Sequence, residues 1–307
     1  MRAIARAITQ VENADGRDLG QLLRELFPYT GRAFVIGVTG SPGTGKSTLV
    51  DQLARHYAES GLKVGIILVD PTSPFSGGAI LGDRVRMQSL FTNPGIFIRS
   101  MATRGKLGGL SAAVDEALMI LDAAGFEILI IETVGVGQDE VDIVKTAHAT
   151  LVMLVPGMGD DIQAFKAGIM EISDIYVVNK ADREGASAVE GELTELLSIA
   201  TGRNDGWTPP IVQTIASQGE GVSELVAAIQ EYRDLSGDPE NAQGGIPLFR
   251  ERLMELLKRR LTGTILGRIP DEKLDRYAEK MMTRELDPYT IVEHLLRDLG
   301  FEEESHG

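Results

Sequence analysis

Residues 35–50 read Val-Ile-Gly-Val-Thr-Gly-Ser-Pro-Gly-Thr-Gly-Lys-Ser-Thr-Leu-Val, and this stretch constrains the fold more than any other. An apolar, β-branched run enters Gly40-Ser41-Pro42-Gly43-Thr44-Gly45-Lys46-Ser47, and a helical pattern leaves it through Thr48. This is G-x-x-x-x-G-K-[ST] with a strand before it and a helix after it, the setting in which the motif cradles phosphate. Glycine lets backbone N–H groups turn inward without a Cβ in the way, and the helix N-terminus adds partial positive charge. Lys46 is placed to reach the β- and γ-phosphates, and the Ser47 hydroxyl to ligate Mg²⁺. A glycine-rich strand-to-helix turn without a ligand is the bland alternative, and both flanks weigh against it.

A chain of 307 residues allows one large α/β domain with appendages, or two smaller domains. Its net charge of −15 disfavours binding to a nucleic-acid backbone. A bound nucleotide must therefore be held by local positive features. The absence of cysteine excludes disulfides and thiolate metal sites. His56, His148, His294 and His306 are scattered without ligand-like spacing and read as surface or packing residues. No apolar run approaches the roughly 18 residues of a membrane helix. The start, Met1 to Ile8, is weakly basic and amphipathic, but Glu12, Asp15 and Asp18 follow at once without a cleavage signal. We read a cytoplasmic chain, with no membrane partner, whose first helix belongs to the fold.

Residues 1–30 carry two short helical patterns, broken at Asn13-Ala14-Asp15-Gly16 and ended near Pro28, with Leu19, Leu22, Leu23 and Leu26 as an apolar stripe. From residue 33 strands and helices alternate, which predicts a mainly parallel sheet flanked by helices on both faces. Candidate strands are 33–39, 64–69, 95–99, 127–132, 149–155, 174–179 and 211–215, continuous enough in apolar residues to be buried on both faces. Gly61, Gly125 and Gly221 sit where helices or turns should stop or start. Residues 236–245 read as a linker, and beyond it only helical patterns follow, near 247–262, 270–283 and 288–299. The expected division is a helical extension over 1–30, a nucleotide-binding domain over 31–235, and a linker with a helical arm over 236–307.

Three further motifs carry chemistry. The strand 127–132 ends at Glu132, where a metal-associated carboxylate belongs, and Gly135 can offer its N–H to a γ-phosphate. Loss of that phosphate removes the contact, so 133–140 is a candidate switch. Asp70 also closes a strand, while Asp83 can either cap a helix or reach the metal. Asn179-Lys180-Ala181-Asp182 follows another strand: the Asp182 carboxylate accepts from the N1–H and N2 amine of guanine, a pair that adenine lacks. Asn179 can bond the base edge or brace the loop, and the Lys180 stem can lie along the ring. Ala216-Ser217 can supply a backbone N–H to the guanine oxygen, with an ordinary turn as its rival.

Together these residues resemble the methylmalonyl-CoA mutase-associated GTPases of MeaB or ArgK type, within the SIMIBI class of P-loop GTPases. The likeness spans nearly the whole chain. It rests on 40–48, 70–87, Arg99-Ser100-Met101-Ala102-Thr103-Arg104-Gly105, 132–138, 156–166 and 179–182. The resemblance implies a P-loop NTPase fold binding GTP or GDP with Mg²⁺. Lys46, Asp83, Glu132 and Gly135 would then serve catalysis, and Ser47, Asp70, Asp83 and Glu132 would surround the metal. It makes 157–166 an additional switch loop, with Gln163 and Lys166 as the residues to test; a plain strand-to-helix loop is the alternative. It also implies a homodimer through the C-terminal arm, and an adenosylcobalamin-dependent acyl-CoA mutase as partner, protected and loaded with cofactor under GTP control. Ras-like GTPases carry a water-orienting Gln directly after the glycine of the acidic motif. Here Val136 stands there and Gln138 follows two places later, so slow hydrolysis by the isolated chain is expected.

Other readings weighed against this are a metallochaperone-type GTPase, a nucleotide-dependent kinase, and a module in which nucleotide only stabilises structure. The first needs cysteine or clustered histidine, and the second an acceptor site with a nearby base. Neither is identifiable in the sequence.

Overall fold

The computed structural model describes residues 1–13, 17–70, 87, 90, 92–102, 109–133, 146–157, 173–199, 206–236 and 245–301. Two helices open the chain, α1 (Arg2–Asn13) and α2 (Arg17–Leu26), followed by a 3₁₀ turn over Phe27–Tyr29. Then come β1 (Phe34–Gly40), α3 (Lys46–Glu59), β2 (Val64–Asp70), β3 (Ile96–Ala102), α4 (Gly109–Ala123) and β4 (Ile128–Glu132). The sheet is completed by β5 (Ala149–Leu154), β6 (Ile175–Asn179), α5 (Ala186–Ile199), β7 (Ile211–Thr214) and α6 (Val222–Ser236). Last are α7 (Gly245–Leu266), α8 (Asp271–Met282) and α9 (Pro288–Asp298).

The seven strands form one sheet in the order β3-β2-β4-β1-β5-β6-β7, with every pairing parallel. Side chains alternate across it. Phe34, Ile36 and Val38 of β1, with Ile128 and Ile130 of β4, enter a core shared with Leu49 and Leu53 of α3 and Leu225 and Ile229 of α6. Val35, Leu129 and Ile131 enter the opposite core, which holds Val114, Ala117 and Leu121 of α4 and Ile8 and Val11 of α1. A strand covered on both faces must be apolar at nearly every position, which is why these runs read continuously. The amphipathic start of the chain thus packs as a helix on α4. Asp122, at the end of α4, fixes the approach to β1: its carboxylate accepts from the N–H groups of Gly31 at 2.6 Å, Arg32 at 3.3 Å and Ala33 at 3.1 Å.

β3 departs from expectation, running to Ala102 where the sequence pattern suggested a stop at 99. The extra residues stay extended because β2 pairs them, Leu68 with Ser100, Val69 with Met101 and Asp70 with Ala102. Polar Arg99 and Ser100 break the apolar run that marked the strand, but the ladder bonds backbone groups whatever the side chain. Gly61 and Gly125 adopt φ of +86° and +82° just past α3 and α4, the left-handed turn that ends a helix.

By contacts the chain divides into two compact units, Met1–Ala242 and Gln243–Gly307. Within the second, Lys273 Nζ of α8 donates to Asp298 Oδ2 of α9 at 2.6 Å, and Ile291 is buried. Asp287 caps α9 by accepting from the N–H groups of Tyr289 and Thr290, both at 3.0 Å. Among the described residues no helix is long and apolar enough to cross a membrane.

Candidate nucleotide site

β1 lies at the centre of the sheet, between β4 and β5, so its carboxyl end is where successive crossovers part toward opposite faces. Ligands of open α/β sheets bind at such a point. Here the chain turns through Gly40 to Gly45 into α3. Gly40 has φ +140°, and a Cβ on it would stand 2.4 Å from the Met153 carbonyl of β5. Gly45, with φ +96°, precedes the first turn of α3, and a Cβ there would meet the Asn179 amide nitrogen at 2.5 Å. Both positions therefore require glycine, one for packing against β5 and one for packing against the end of β6.

Lys46 is buried at 6% exposure and folds back over the loop, donating from Nζ to the Gly40 carbonyl at 2.6 Å and the Ser41 carbonyl at 3.2 Å. Thr44, fully buried, ties the crest by donating from its hydroxyl to Ser41 O at 2.9 Å. Ser47, in the first turn of α3, donates to Glu132 Oε1 at 2.5 Å. The hydroxyl and the carboxylate come from residues 85 apart in sequence. Asp70 lies at the end of β2, two positions beyond Leu68, which pairs with Glu132. The carboxyl ends of β1, β2 and β4 thus gather the loop, Glu132 and Asp70 at one edge of the sheet.

On the other side, β6 delivers Asn179-Lys180-Ala181-Asp182. Asn179 is 2% exposed, and its side-chain amide is spent on protein. Nδ2 donates to the Thr44 carbonyl at 2.8 Å, while Oδ1 accepts from the Thr214 hydroxyl at 3.1 Å and the Ala216 N–H at 3.0 Å. Of the two roles left open by the sequence, bracing is the one its contacts fill. Lys180 takes a left-handed φ of +56° and donates from Nζ to the Gly43 carbonyl at 2.7 Å, so its stem crosses the mouth of the site. Asp182 is exposed in the turn that follows. Ala216 commits its N–H to Asn179, while the neighbouring Ser217 N–H is not committed to that side chain.

The site as described therefore unites Gly40 to Thr48, Glu132, the end of β2, Asn179 to Asp182, and Ser217. Asp83, Gly135, Val136, Gln138, Gln163 and Lys166 lie outside the described residues. Sequence reasoning missed Thr214 and Met153. Thr214 stands opposite Asn179 in the β6–β7 ladder, a register that no local pattern announces. His148, read as a packing residue, substitutes for a strand rung: its Nδ1 accepts the Val35 N–H at 3.0 Å.

The sequence profile of the methylmalonyl-CoA mutase-associated GTPase MeaB family matches residues 4–247. A Pyrococcus abyssi protein named as a candidate GTPase is 45% identical over 307 residues, which span 97% of this chain and 93% of its own length. The mitochondrial methylmalonic aciduria type A homolog of Caenorhabditis elegans is 38% identical over 253 residues, 77% of this chain and 63% of its own. Among solved structures, the LAO/AO transport system kinase is 26% identical and superposes with a TM-score of 0.70, covering 97% of this chain and 93% of that one.

Proposed function

Since the chain belongs to the methylmalonyl-CoA mutase-associated GTPase family, we propose that it is the GTP-gated chaperone of an adenosylcobalamin-dependent acyl-CoA mutase. It is a GTPase, with a seven-stranded parallel sheet of the P-loop NTPase kind. In this reading the nucleotide state controls loading of cobalamin into the partner and protects that enzyme. The observation that carries the reading is the family match over 4–247, in a chain whose phosphate loop, strand-end acid and guanine motif meet at one sheet edge.

The roles follow from position. The N–H groups of Gly43 to Thr48 enclose phosphate, and Lys46 exchanges its loop carbonyls for the β- and γ-phosphate oxygens. Asp182 selects guanine, the Lys180 stem covers the ring, and the Ser217 N–H meets the guanine oxygen. The Ser47 hydroxyl and Glu132 carboxylate, 2.5 Å apart, are hard oxygen donors of the kind Mg²⁺ prefers, so the residues fit that ion. Asp70 and Asp83 would complete its surroundings, largely through water. Bound there, Mg²⁺ supplies neutralisation of charge on the β- and γ-oxygens. Gly135 with the residues after Glu132 reports the γ-phosphate, and Gln163 and Lys166 carry the state to the partner.

Hydrolysis by the isolated chain is slow, because Val136 replaces the water-orienting Gln, and the partner completes the site. The chain works in the cytoplasm as a homodimer. Apolar residues on the outside of the C-terminal helices, among them Leu253, Leu257, Leu261, Met282 and Tyr289, support pairing with a second copy. A metallochaperone-type GTPase would need cysteine or clustered histidine, and the sequence has no cysteine and four scattered histidines.

A pull-down of the mutase, with the chain loaded with GDP or with a non-hydrolysable GTP analogue, tests the proposal. Capture that differs between the two nucleotides is expected. Equal capture, or none, ends the gating role. Labelled GTP offered with candidate acceptors checks the kinase named for the structural relative: phosphate released to water is expected, and label on an acceptor would replace the present reading.

A further inference from the structure

The hydroxyls of Thr39 and Thr133 lie 3.2 Å apart, and both residues are buried, at 1% and 3% exposure. Thr39 is the last residue of β1 before Gly40, and Thr133 is the first past the end of β4. The β1–β4 ladder has its last rung at Val38 and Glu132. One residue further, the Thr133 N–H still donates to the Val38 carbonyl at 3.1 Å, and its hydroxyl stands 3.5 Å from the same oxygen. The Thr133 hydroxyl donates to Thr39 Oγ1, with the Val38 carbonyl at the limit of its reach, so the two side chains are joined directly across the ends of the strands. A buried hydroxyl without a partner would be costly, so the pair is matched rather than incidental. Strand pairing alone asks for no hydroxyl at either place, since valine has the same shape and a strand preference as high.

The position gives the pair its meaning. On β1 it stands one residue from Gly40, whose carbonyl receives Lys46 Nζ. On β4 it stands one residue from Glu132, whose carboxylate receives the Ser47 hydroxyl. We propose that Thr39 and Thr133 form a positioning latch that holds the end of β4 against the end of β1, so that Glu132 stays aimed at Ser47 while the phosphate loop takes up nucleotide. Neither threonine touches the reacting atoms; both act through Glu132. The inference rests on reading Glu132 as the metal-side carboxylate, and the test separates the two.

The variants are Thr133→Val, Thr133→Ser, Thr39→Val, the double valine variant and Glu132→Gln, each in the full chain. Single-turnover GTP hydrolysis is followed against Mg²⁺ concentration, GDP affinity is measured without Mg²⁺, and amide exchange is followed along β4. Thr133→Val should slow hydrolysis about tenfold and raise the half-saturating Mg²⁺ several-fold, as expected when a supporting contact loosens. GDP affinity without Mg²⁺ should stay within about twofold, because the loop's own contacts are untouched. Exchange at the Thr133 amide should quicken while the rest of the sheet keeps its protection. Thr133→Ser should behave as the parent, Thr39→Val should reproduce Thr133→Val, and the double variant should be no worse than either. A Thr133→Val chain with parental Mg²⁺ dependence and exchange overturns the latch. So does a serine variant as impaired as the valine one, or a double variant whose loss is the product of the singles. If Glu132→Gln leaves Mg²⁺ dependence intact, the carboxylate reading fails, and the exchange rate at Thr133 alone decides the latch.

Discussion

The Asn179 amide donates to the Thr44 carbonyl across 2.8 Å, joining the guanine motif to the crest of the phosphate loop over 135 residues of sequence. The same side chain accepts from Thr214 and Ala216. Three loops are therefore fastened by one buried carboxamide, and under the proposed function this contact would couple base recognition to phosphate geometry.

Asn179→Ala should weaken guanine nucleotide binding by about ten- to a hundredfold, since it leaves the Thr44 carbonyl and Ala216 N–H without their partner at about 1 kcal/mol each. GDP and inorganic pyrophosphate titrations check this, and both should weaken. A loss confined to GDP would mean that Asn179 reads the base and does not brace the loop.

Asp182→Asn should turn preference from guanine toward xanthine. The carboxylate accepts two hydrogens from guanine, whereas the amide offers a donor to the second carbonyl of xanthine. Competition between GDP and xanthosine diphosphate reads the change, and an unaltered preference would remove Asp182 from the base site.

Asp122→Ala should lower the stability of the sheet unit without touching the nucleotide site. It strips acceptors from the N–H groups of Gly31, Arg32 and Ala33. A loss of about 1–3 kcal/mol, or a fall of several degrees in melting temperature, is expected in thermal denaturation. Asp122→Asn, which keeps one acceptor oxygen, should fall between the two.

Burial pushes the Tyr57 hydroxyl up to about 12 from its usual 10.0, with Arg233 acting weakly the other way. A phenol raised on folding contributes stability that is complete below the unfolded value and is lost as pH rises through the folded one. Between pH 10 and pH 12 the chain should lose about 3 kcal/mol from this group, at about 1.4 kcal/mol for each pH unit. Denaturant midpoints across that range check it, and Tyr57→Phe should abolish this alkaline component.

Much of the sheet was legible because its signals are local. The apolar runs of β1, β2 and β4 lie within one residue of their observed limits, since strands covered on both faces need apolar side chains at successive positions. The loop at 40–47 was legible for the same reason: glycine at fixed offsets is a requirement of the turn itself. β3 was read short because its last three residues are held by β2, and a partner strand leaves no mark on the sequence it pairs with. Thr214 escaped notice because its importance lies in standing opposite Asn179.

The sequence by itself determined the strand–helix alternation, the phosphate loop and the residue types able to meet magnesium and guanine, because dihedral freedom, periodicity and side-chain chemistry belong to each residue and its near neighbours. Only the tertiary structure decided that Ser47 faces Glu132, that Asn179 spends its amide on Thr44, and that Thr39 meets Thr133. Those contacts depend on β4, β1, β5 and β6 lying side by side in that order. Such an order arises from crossovers packing helices on two faces, and distance along the chain does not encode it.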